Sequence, residues 1–227
     1  MQVEIVSATR RNTQDFQLDT PLGVSLIRLK SDPRLIPRIA FENTRGLPEI
    51  YNFGINAAGT DSVMVFMHDD VWIDDYHFVD RVIEGVNHFD FIGVAGNRRR
   101  LGAQPAWMFT DLKFTPDERE HLSGTVAHGK LPFGQVSRYG SAPAVCELLD
   151  GVFMAARRNV LTARGVSFDP RFKFHFYDMD VCRTARQRGL SLATWPIAIT
   201  HQSDGTGGYG NPSWQQGYES YIDKWGD

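Results

Sequence analysis

The chain has 227 residues, a formal net charge of −3, and hydrophobic side chains at 42% of its positions. Such a chain is long enough to bury one substantial core as a single globular domain, although two subdomains would also fit. Its slightly acidic balance provides no basic field that would attract a phosphate backbone, so nucleic acid is not an expected partner.

The N-terminal residues and the cysteines bear on the compartment. Met1 to Val6 alternate polar and apolar side chains, which is not the basic and then apolar order of a signal peptide. No window approaches the ~20 apolar residues that cross a bilayer. Cys146 and Cys182 alone cannot build a disulfide scaffold or a cysteine-only zinc site. We therefore expect a cytoplasmic protein, and leave open a peripheral association with a membrane.

The first half of the chain alternates two kinds of apolar pattern. Apolar residues recur at helical spacing from Leu47 to Ala58 and from Phe78 to Val86. Shorter apolar runs predict strands at Val3 to Ala8, Val24 to Leu29, Arg38 to Phe41, Asp61 to Met67 and Phe91 to Ala95. This alternation indicates an α/β fold with a largely parallel central sheet.

The middle of the chain, from Arg98 to Ala144, has no sustained period and is rich in glycine, proline and aromatic residues. We interpret it as a long excursion from the sheet that contacts substrate. After it, the pattern predicts a strand at Val145 to Ala155, a helix at Asp178 to Arg188 and a strand at Leu190 to Thr200. We expect the glycine-rich stretch from Ser203 to Pro212 to be mobile.

The apolar run Val63 to Met67 ends abruptly in His68, Asp69 and Asp70. Carboxylates at the tip of a buried strand are costly to desolvate, so they usually hold a cation or make strong hydrogen bonds. Ligands of open α/β sheets collect beyond the carboxyl ends of the strands, where these residues would lie. Asp70 is the first candidate ligand. The alternative is that the acids cap the following helix, and the local pattern does not decide between the two.

His201 follows another apolar strand, so the same sheet edge can bring its imidazole beside Asp70. A lone histidine at a strand end is more often a structural residue, and the inference therefore depends on the pair. One carboxylate and one imidazole, with positions left for phosphate oxygens and water, suit Mn²⁺ or Mg²⁺ held partly by its substrate.

Two acids, Asp178 and Asp180, open the helix predicted in the last third of the chain. Residues two apart on a helix do not face each other, so we expect different roles for them. One can cap the helix and interact with its dipole. The other can act as a general base if it reaches a substrate hydroxyl.

Three consecutive arginines, Arg98 to Arg100, follow a predicted strand. Guanidinium groups in this position can bind phosphate or an anionic acceptor. A solvated basic turn is the favoured alternative.

Taken in chain order, these residues resemble a nucleotide-sugar-dependent glycosyltransferase of the GT-A fold, close to the bacterial family-2-like enzymes. The resemblance covers most of the chain outside the middle segment. The matching stretches are Glu42 to Leu47, Tyr51 to Ile55, Ala57 to Gly59, His68 to Val71, Leu149 to Met154, Tyr177 to Arg183, Gly189, His201 and Lys224 to Trp225.

The resemblance implies one GT-A domain over residues 1–227, with a single Rossmann-like, mostly parallel mixed sheet flanked by helices. Residues 1–97 would form the nucleotide-binding half and residues 145–227 the acceptor and catalytic half. Residues 98–144 would be an irregular excursion on the substrate side.

In that family an Asp-x-Asp motif holds a divalent cation that bridges the diphosphate of the donor. His68 to Asp70 stands in its place, so the resemblance implies a metal site of Asp70, His68 and His201 for Mn²⁺ or Mg²⁺. The family's Glu-Asp motif matches Tyr177 and Asp178. This makes Asp178 the implied catalytic base.

Further roles follow from the same resemblance. Asp180 is the alternate catalytic base. The residues implied in binding the donor and its nucleotide are Thr9, Arg10, Asp32, Asn43, Asp69, Asp150 and Gly151.

The implied function is metal-dependent transfer of a sugar from a nucleoside-diphosphate sugar, with a UDP-sugar as the first expectation. The acceptor would be a hydroxyl of a glycan, a lipid-linked molecule or a protein. An inverting single displacement in surface glycan synthesis is expected. The alternative is an inactive nucleotide-sugar or glycan-binding module, because His68 and Tyr177 replace acids.

Overall fold

The computed structural model describes residues 1–202 and 208–226. In chain order the elements are β1 (Val3–Ala8), α1 (Thr13–Asp19), α2 (Pro21–Arg28), β2 (Leu35–Ala40), α3 (Leu47–Ala57), β3 (Val63–Met67), β4 (Val71–Ile73), α4 (Phe78–His88), β5 (Phe91–Gly93), β6 (Ala95–Asn97), β7 (Leu122–His128), β8 (Gln135–Gly140), β9 (Ala144–Val145), β10 (Leu148–Leu149), β11 (Phe153–Arg157), α5 (Arg158–Arg164), α6 (Tyr177–Gln187), β12 (Leu192–Thr194), β13 (Ile199–His201) and α7 (Pro212–Trp225). None of the described helices is both long and apolar enough to cross a membrane.

The strands form two sheets. One has the order β2-β1-β3-β11-β5-β12-β9, and the other has the order β10-β6-β7-β13-β4, with β8 paired to β7. In the first sheet β1 is parallel to β2 and β3, and β12 is parallel to β5. Strand β11 runs antiparallel between β3 and β5. The expected α/β class with a mixed sheet and flanking helices is therefore confirmed, but there are two sheets where one was expected.

Helices pack on the first sheet and bury its central strands. Every residue of β3 is buried, which fits the continuous apolar run of that strand. Helix α3 packs closely on β1, since a Cβ on Gly54 would lie 2.6 Å from a methyl group of Val6. Helix α4 contributes Phe78, whose ring packs edge-on against Phe153 of β11. This covered sheet is a rigid base for the loops at its edge.

Two predicted elements differ from the structure. The stretch from Val24 to Leu29, predicted as a strand, lies in helix α2. The hydroxyl of Thr20 accepts a hydrogen bond from the Gly23 amide at 3.0 Å, and Pro21 lies in the first turn. This helix capping outweighs the strand preference of the β-branched residues in the segment. The middle segment is not wholly irregular, because β7 and β8 form an antiparallel hairpin in it.

The late strands are shorter than predicted because the chain changes sheets. The predicted strand from Val145 to Ala155 is divided into β9, β10 and β11, of which β10 belongs to the second sheet. The one from Leu190 to Thr200 is divided at Pro196 into β12 and β13. Of the stretch expected to be mobile, residues 203–207 lie outside the described residues. Helix α7, which the sequence pattern did not predict, begins at the end of that stretch.

Strand pairing also sets the position of the residues after β3. In the second sheet β13 runs antiparallel to β4, and His201 is in register with Val71. The amide of Gln202 donates to the carbonyl of Asp70 at 2.8 Å. The ends of two strands from distant parts of the chain therefore meet at Asp70.

Candidate functional site

Three predicted metal ligands are brought together at this edge. The Nε2 atom of His201 lies 3.3 Å from Oδ2 of Asp70, and Nδ1 of His68 lies 4.0 Å from Oδ1 of Asp70. One potential ligand atom from each residue lies within 4.8 Å of the others. The cluster lines a cavity of about 520 Å³.

The donor set fits a divalent cation. The Oδ1 atom of Asp70 is buried and has no hydrogen-bond partner among the described residues, an arrangement that is costly unless a cation is bound. Two imidazoles and one carboxylate suit Mn²⁺ better than Mg²⁺, since Mg²⁺ prefers ligands that are all oxygen. The donor set is therefore of the kind that holds a transition-metal cation.

The protonation states of Asp70 and His68 suit metal binding, whereas the hydrogen bond and charge of Asp70 outweigh burial and raise the pKa of His201, which must lose its proton before it can ligate. Burial would raise the pKa of Asp70, but the hydrogen bond and charge of His201 outweigh it, so the pKa lies below its usual value. Burial lowers the pKa of His68, which favours the neutral imidazole. A carboxylate and a neutral imidazole are the forms that ligate metals.

A hydrogen-bond chain fixes the tautomer of His68. The hydroxyl of Tyr177 donates to the carbonyl of Gly151 at 2.9 Å, and Nε2 of His68 lies 2.8 Å from the same hydroxyl. The hydroxyl has one proton, which the carbonyl takes, so Nε2 of His68 must be the donor in the second bond. The lone pair of the neutral ring is then on Nδ1, which is the nitrogen nearer to Asp70.

Gly151 is required for this chain of bonds. A Cβ at that position would lie 2.5 Å from the Tyr177 hydroxyl. A side chain on residue 151 would therefore displace the phenol from the carbonyl and from His68. The predicted donor residues Asp150 and Gly151 both line the same cavity as the metal cluster.

Asp178 has the properties expected of a general base. It is partly buried, lines the cavity, and accepts a hydrogen bond from the Gly151 amide at 3.1 Å through Oδ2. Burial, together with the charge of Asp150, raises the pKa of Asp178 to about 7. A carboxylate with that pKa can both accept and release a proton near neutral pH.

Asp180, the alternate base, lies elsewhere. It is fully buried, and its Oδ1 pairs with Lys224 at 2.7 Å and accepts from the Trp225 indole at 2.9 Å. It is not among the residues that line the cavity. These contacts join α6 to α7, and the structure does not bring Asp180 to the metal cluster.

Most of the residues expected to hold the nucleotide line a second cavity, of about 890 Å³, at the carboxyl ends of β1 and β2. They are Thr9, Arg10, Asn43 and Asp69. The amide of Asn43 donates to the carbonyl of Thr9 at 2.8 Å, which holds the two loops together. Phe174 is 52% exposed and lines both cavities.

Asp32 is not at this edge. It pairs with Arg34 at 2.7 Å just before β2 begins, and β1 and β2 are parallel. It therefore lies at the opposite edge of the sheet from the nucleotide-side cavity. The expectation that it binds the nucleotide depended on a strand at Val24 to Leu29, and that segment is helix α2.

Tyr139, Phe174 and Tyr209 of this cavity were not found from the sequence pattern, whereas Trp107 and Trp214 were candidates to stack on a sugar or base, with a core role as the favoured alternative. An aromatic wall is formed by Trp107, Tyr139, Phe174, Tyr209 and Trp214. His128, at the end of β7, also lines the cavity, and its ring centroid is 6.1 Å from that of His201. The only local signal was the aromatic content of these segments, because their positions depend on long-range packing.

Comparison with known proteins identifies the family of the chain. A model of a glycosyltransferase-like family matches residues 36–204. No curated protein matches the sequence significantly.

Solved structures show the same fold at low sequence identity. GalNAc-T7, whose crystal structure contains UDP, GalNAc and Mn²⁺, aligns with a TM-score of 0.60 and 11% identity, over 97% of this chain and 47% of that one. A fragment of TarS from S. aureus aligns with a TM-score of 0.50 and 13% identity, over 89% of this chain and 60% of that one. The chain spans about half the length of these proteins. Its fold is that of GT-A glycosyltransferases, and the chain belongs to the glycosyltransferase-like family.

Proposed function

We propose that the protein transfers a sugar from a nucleoside-diphosphate sugar to an acceptor hydroxyl, and that a divalent cation is held by Asp70, His68 and His201. The observation that carries this proposal is that the three candidate ligands and Asp178 line the same cavity. A metal site alone would suit many reactions, whereas a raised carboxyl pKa beside it suits activation of a hydroxyl.

The donor would lie across the two cavities that share Phe174. Its nucleoside would occupy the cavity of Thr9, Arg10, Asn43 and Asp69, and its diphosphate would reach the ligand cluster. Asp69 and Asp70 are adjacent in sequence and line different cavities, which is consistent with one ligand that spans both. UDP is the first nucleotide to test, because the structure of the similar GalNAc-T7 contains it.

The chemical step assigned to Asp178 is removal of the acceptor proton. The hydrogen bond from the Gly151 amide engages Oδ2 and orients the carboxylate, which lines the cavity where the acceptor hydroxyl would lie. As the proton moves to Asp178, the acceptor oxygen attacks the anomeric carbon and the bond to the nucleoside diphosphate breaks, with inversion. When bound, the cation supplies Lewis-acid stabilisation of the leaving diphosphate.

The aromatic wall would position the sugar and exclude water. Trp107 and Trp214 are both buried, and both line the cavity. Aromatic faces pack against the apolar faces of sugar rings, and a dry site limits hydrolysis of the donor. The same proposal includes an acceptor on a glycan, a lipid-linked molecule or a protein, and a role in surface glycan synthesis.

The test is nucleoside diphosphate release from a panel of UDP- and GDP-sugars with Mn²⁺, together with mass spectrometry of candidate acceptors. Asp70→Ala and Asp178→Asn should each abolish transfer, whereas Asp61→Asn, which changes an exposed acid outside the cavities, should not. Transfer that persists in both site variants would overturn the assignment. Donor binding without release in the wild type would favour the non-catalytic binding module.

A further inference from the structure

A third cavity, of about 780 Å³, lies beside strand β8 and the segment before β7. Three exposed arginines line it, and they come from different parts of the chain. Arg98 follows β6, Arg119 lies in the loop before β7, and Arg138 is on β8. We refer to Arg98, Arg119 and Arg138 and the space between them as the arginine cavity.

The charges of the arginine cavity are only partly balanced by acids. None of its three arginines forms an ion pair with any residue that the structure describes, and the guanidinium of Arg98 donates one long hydrogen bond, of 3.4 Å, to the Glu120 carbonyl. Arg99, the next residue along, is by contrast paired with Asp117. Glu120 is the one acid among the described lining residues. The lining therefore has an excess of two positive charges in a chain whose net charge is −3.

Arginine is the residue that suits recognition of an oxyanion. Its planar guanidinium presents paired N–H groups that match a carboxylate or a phosphate, and it stays charged at all physiological pH values. Three such groups around one cavity repel each other unless an anion lies between them. The arrangement thus resembles a binding site more than a solvated turn.

The arginine cavity adjoins the candidate active site. Tyr139 lines both cavities, and its ring packs edge-on against Trp107 with the centroids 4.9 Å apart. The nucleotide-side cavity shares a different residue, Phe174, with the active-site cavity. The arginine cavity and the nucleotide-side cavity therefore have no described lining residue in common, and the arginines are not placed for the donor diphosphate.

We propose that the arginine cavity binds an anionic group of the acceptor, a phosphate ester or a carboxylate carried at a distance from the reacting hydroxyl. That the anion belongs to an acceptor rests on the proposed glycosyl transfer, whereas the existence of the anion site does not. An oligosaccharide whose end lies beside Trp107 would pass Tyr139 and place its charged group among the arginines. The protein would thus select anionic glycans over neutral ones.

The test measures oligosaccharide binding by calorimetry in the absence of any donor. The probes are tetragalacturonic acid for the carboxylate, a mannose pentasaccharide with a terminal 6-phosphate for the phosphate ester, and neutral cellotetraose. The triple variant Arg98→Gln, Arg119→Gln, Arg138→Gln removes the positive lining. Its control, Lys30→Gln, Arg164→Gln, Arg188→Gln, removes the same charge from exposed positions outside the cavities.

At least one anionic probe should bind the wild type and the control tenfold or more tightly than it binds the triple variant. Cellotetraose should bind wild type and triple variant equally or not at all. UDP affinity with Mn²⁺ should be unchanged in the triple variant, which shows that the variant is folded. The anionic probe that loses affinity identifies the group as a carboxylate or a phosphate.

Two results would overturn the anion site: no binding of either anionic probe to the wild type, or an equal loss in the triple variant and its control. Anion binding that depends on the arginines, in a protein that transfers no sugar, would instead contradict the proposed function and leave the anion site standing. Transfer to neutral acceptors alone, with no anion binding, would contradict the anion site only.

Discussion

The Nε2 atom of His68 lies 2.8 Å from the hydroxyl of Tyr177. These are the two positions at which the chain lacks an acid expected from the family resemblance. Because they contact each other, the two differences form one arrangement, in which the phenol orients the imidazole that faces Asp70. A metal ligand of this kind usually depends on the partner of its other nitrogen.

Tyr177→Phe should weaken Mn²⁺ binding about tenfold, because it removes the acceptor that keeps the proton of His68 on Nε2. Electron paramagnetic resonance of Mn²⁺ would measure the affinity, and ¹⁵N nuclear magnetic resonance of the metal-free protein would report the tautomer. Tyr218→Phe is the matched control, because the Tyr218 hydroxyl also donates to a carbonyl at 2.9 Å but contacts no histidine of the cluster. Equal affinities in both variants would contradict the positioning role.

The transfer rate should rise with pH as Asp178 loses its proton. With the pKa of Asp178 raised by burial and Asp150 to about 7, the active carboxylate should increase about tenfold between pH 6 and pH 8. Single-turnover rates at saturating donor and Mn²⁺ would give the profile. A rate that is flat over this range, or that falls, would exclude Asp178 as the base whose ionisation limits transfer.

Asp178→Asn should stabilise the fold at alkaline pH. The folded-state pKa of Asp178 lies above its ordinary value of 3.8, so the stability that its protonated form contributes is complete below about pH 4 and is lost as pH rises through 7. The variant should therefore melt about 2 °C or more above wild type at pH 8 and nearly with it at pH 4. An equal shift at both pH values would indicate a simple packing effect.

His201→Ala should reduce Mn²⁺ affinity by at least about tenfold, since it removes one of three candidate ligands. Mn²⁺ should also bind the wild type more tightly than Mg²⁺ does, because two ligands are imidazoles. Glu118→Gln is the control, since Glu118 belongs to an exposed acidic cluster with Glu120 and His121 that could bind ions nonspecifically. Loss of the tight Mn²⁺ signal in Glu118→Gln would show that the cation binds at the Glu118 cluster and not at Asp70.

Lys224→Met should destabilise the fold by about 3 kcal/mol, because it leaves the fully buried carboxylate of Asp180 without its cation. Urea unfolding would measure the change, and Lys113→Met provides an exposed lysine for comparison. Mn²⁺ affinity should be unchanged in Lys224→Met. A cost below about 1 kcal/mol would show that Asp180 is protonated or hydrated when the lysine is absent.

The positions of Asp70 and His201 could be predicted because each follows an apolar strand, and strand ends collect at one edge of an α/β sheet. The position of Asp32 could not be predicted, since the edge of the sheet at which this residue lies depends on whether Val24 to Leu29 forms a strand or a helix. The capping by Thr20 decides that locally, and a β-branched pattern alone does not reveal it.

The cavity walls were harder to predict than its polar groups. Trp107 and Tyr139 lie in a segment without a readable period, and their contact joins parts of the chain that are 32 residues apart. Likewise, Asp180 resembled a second catalytic acid until the contacts of α7 with α6 were known. Local sequence specifies the strand ends and caps, whereas tertiary packing determines which side chains share a cavity.

The reversed direction of β11 has a consequence for how the site is assembled. In a sheet of parallel strands only the segments that leave strands reach the carboxyl edge. Because Phe153 at the start of β11 is paired with Met67 at the end of β3, the segment that enters β11 reaches that edge as well. The inverted strand thus brings the turn that enters it, with Asp150 and Gly151, to the same edge as the turn that leaves β3, His68 to Asp70. A rearrangement of either turn would therefore shift the other directly.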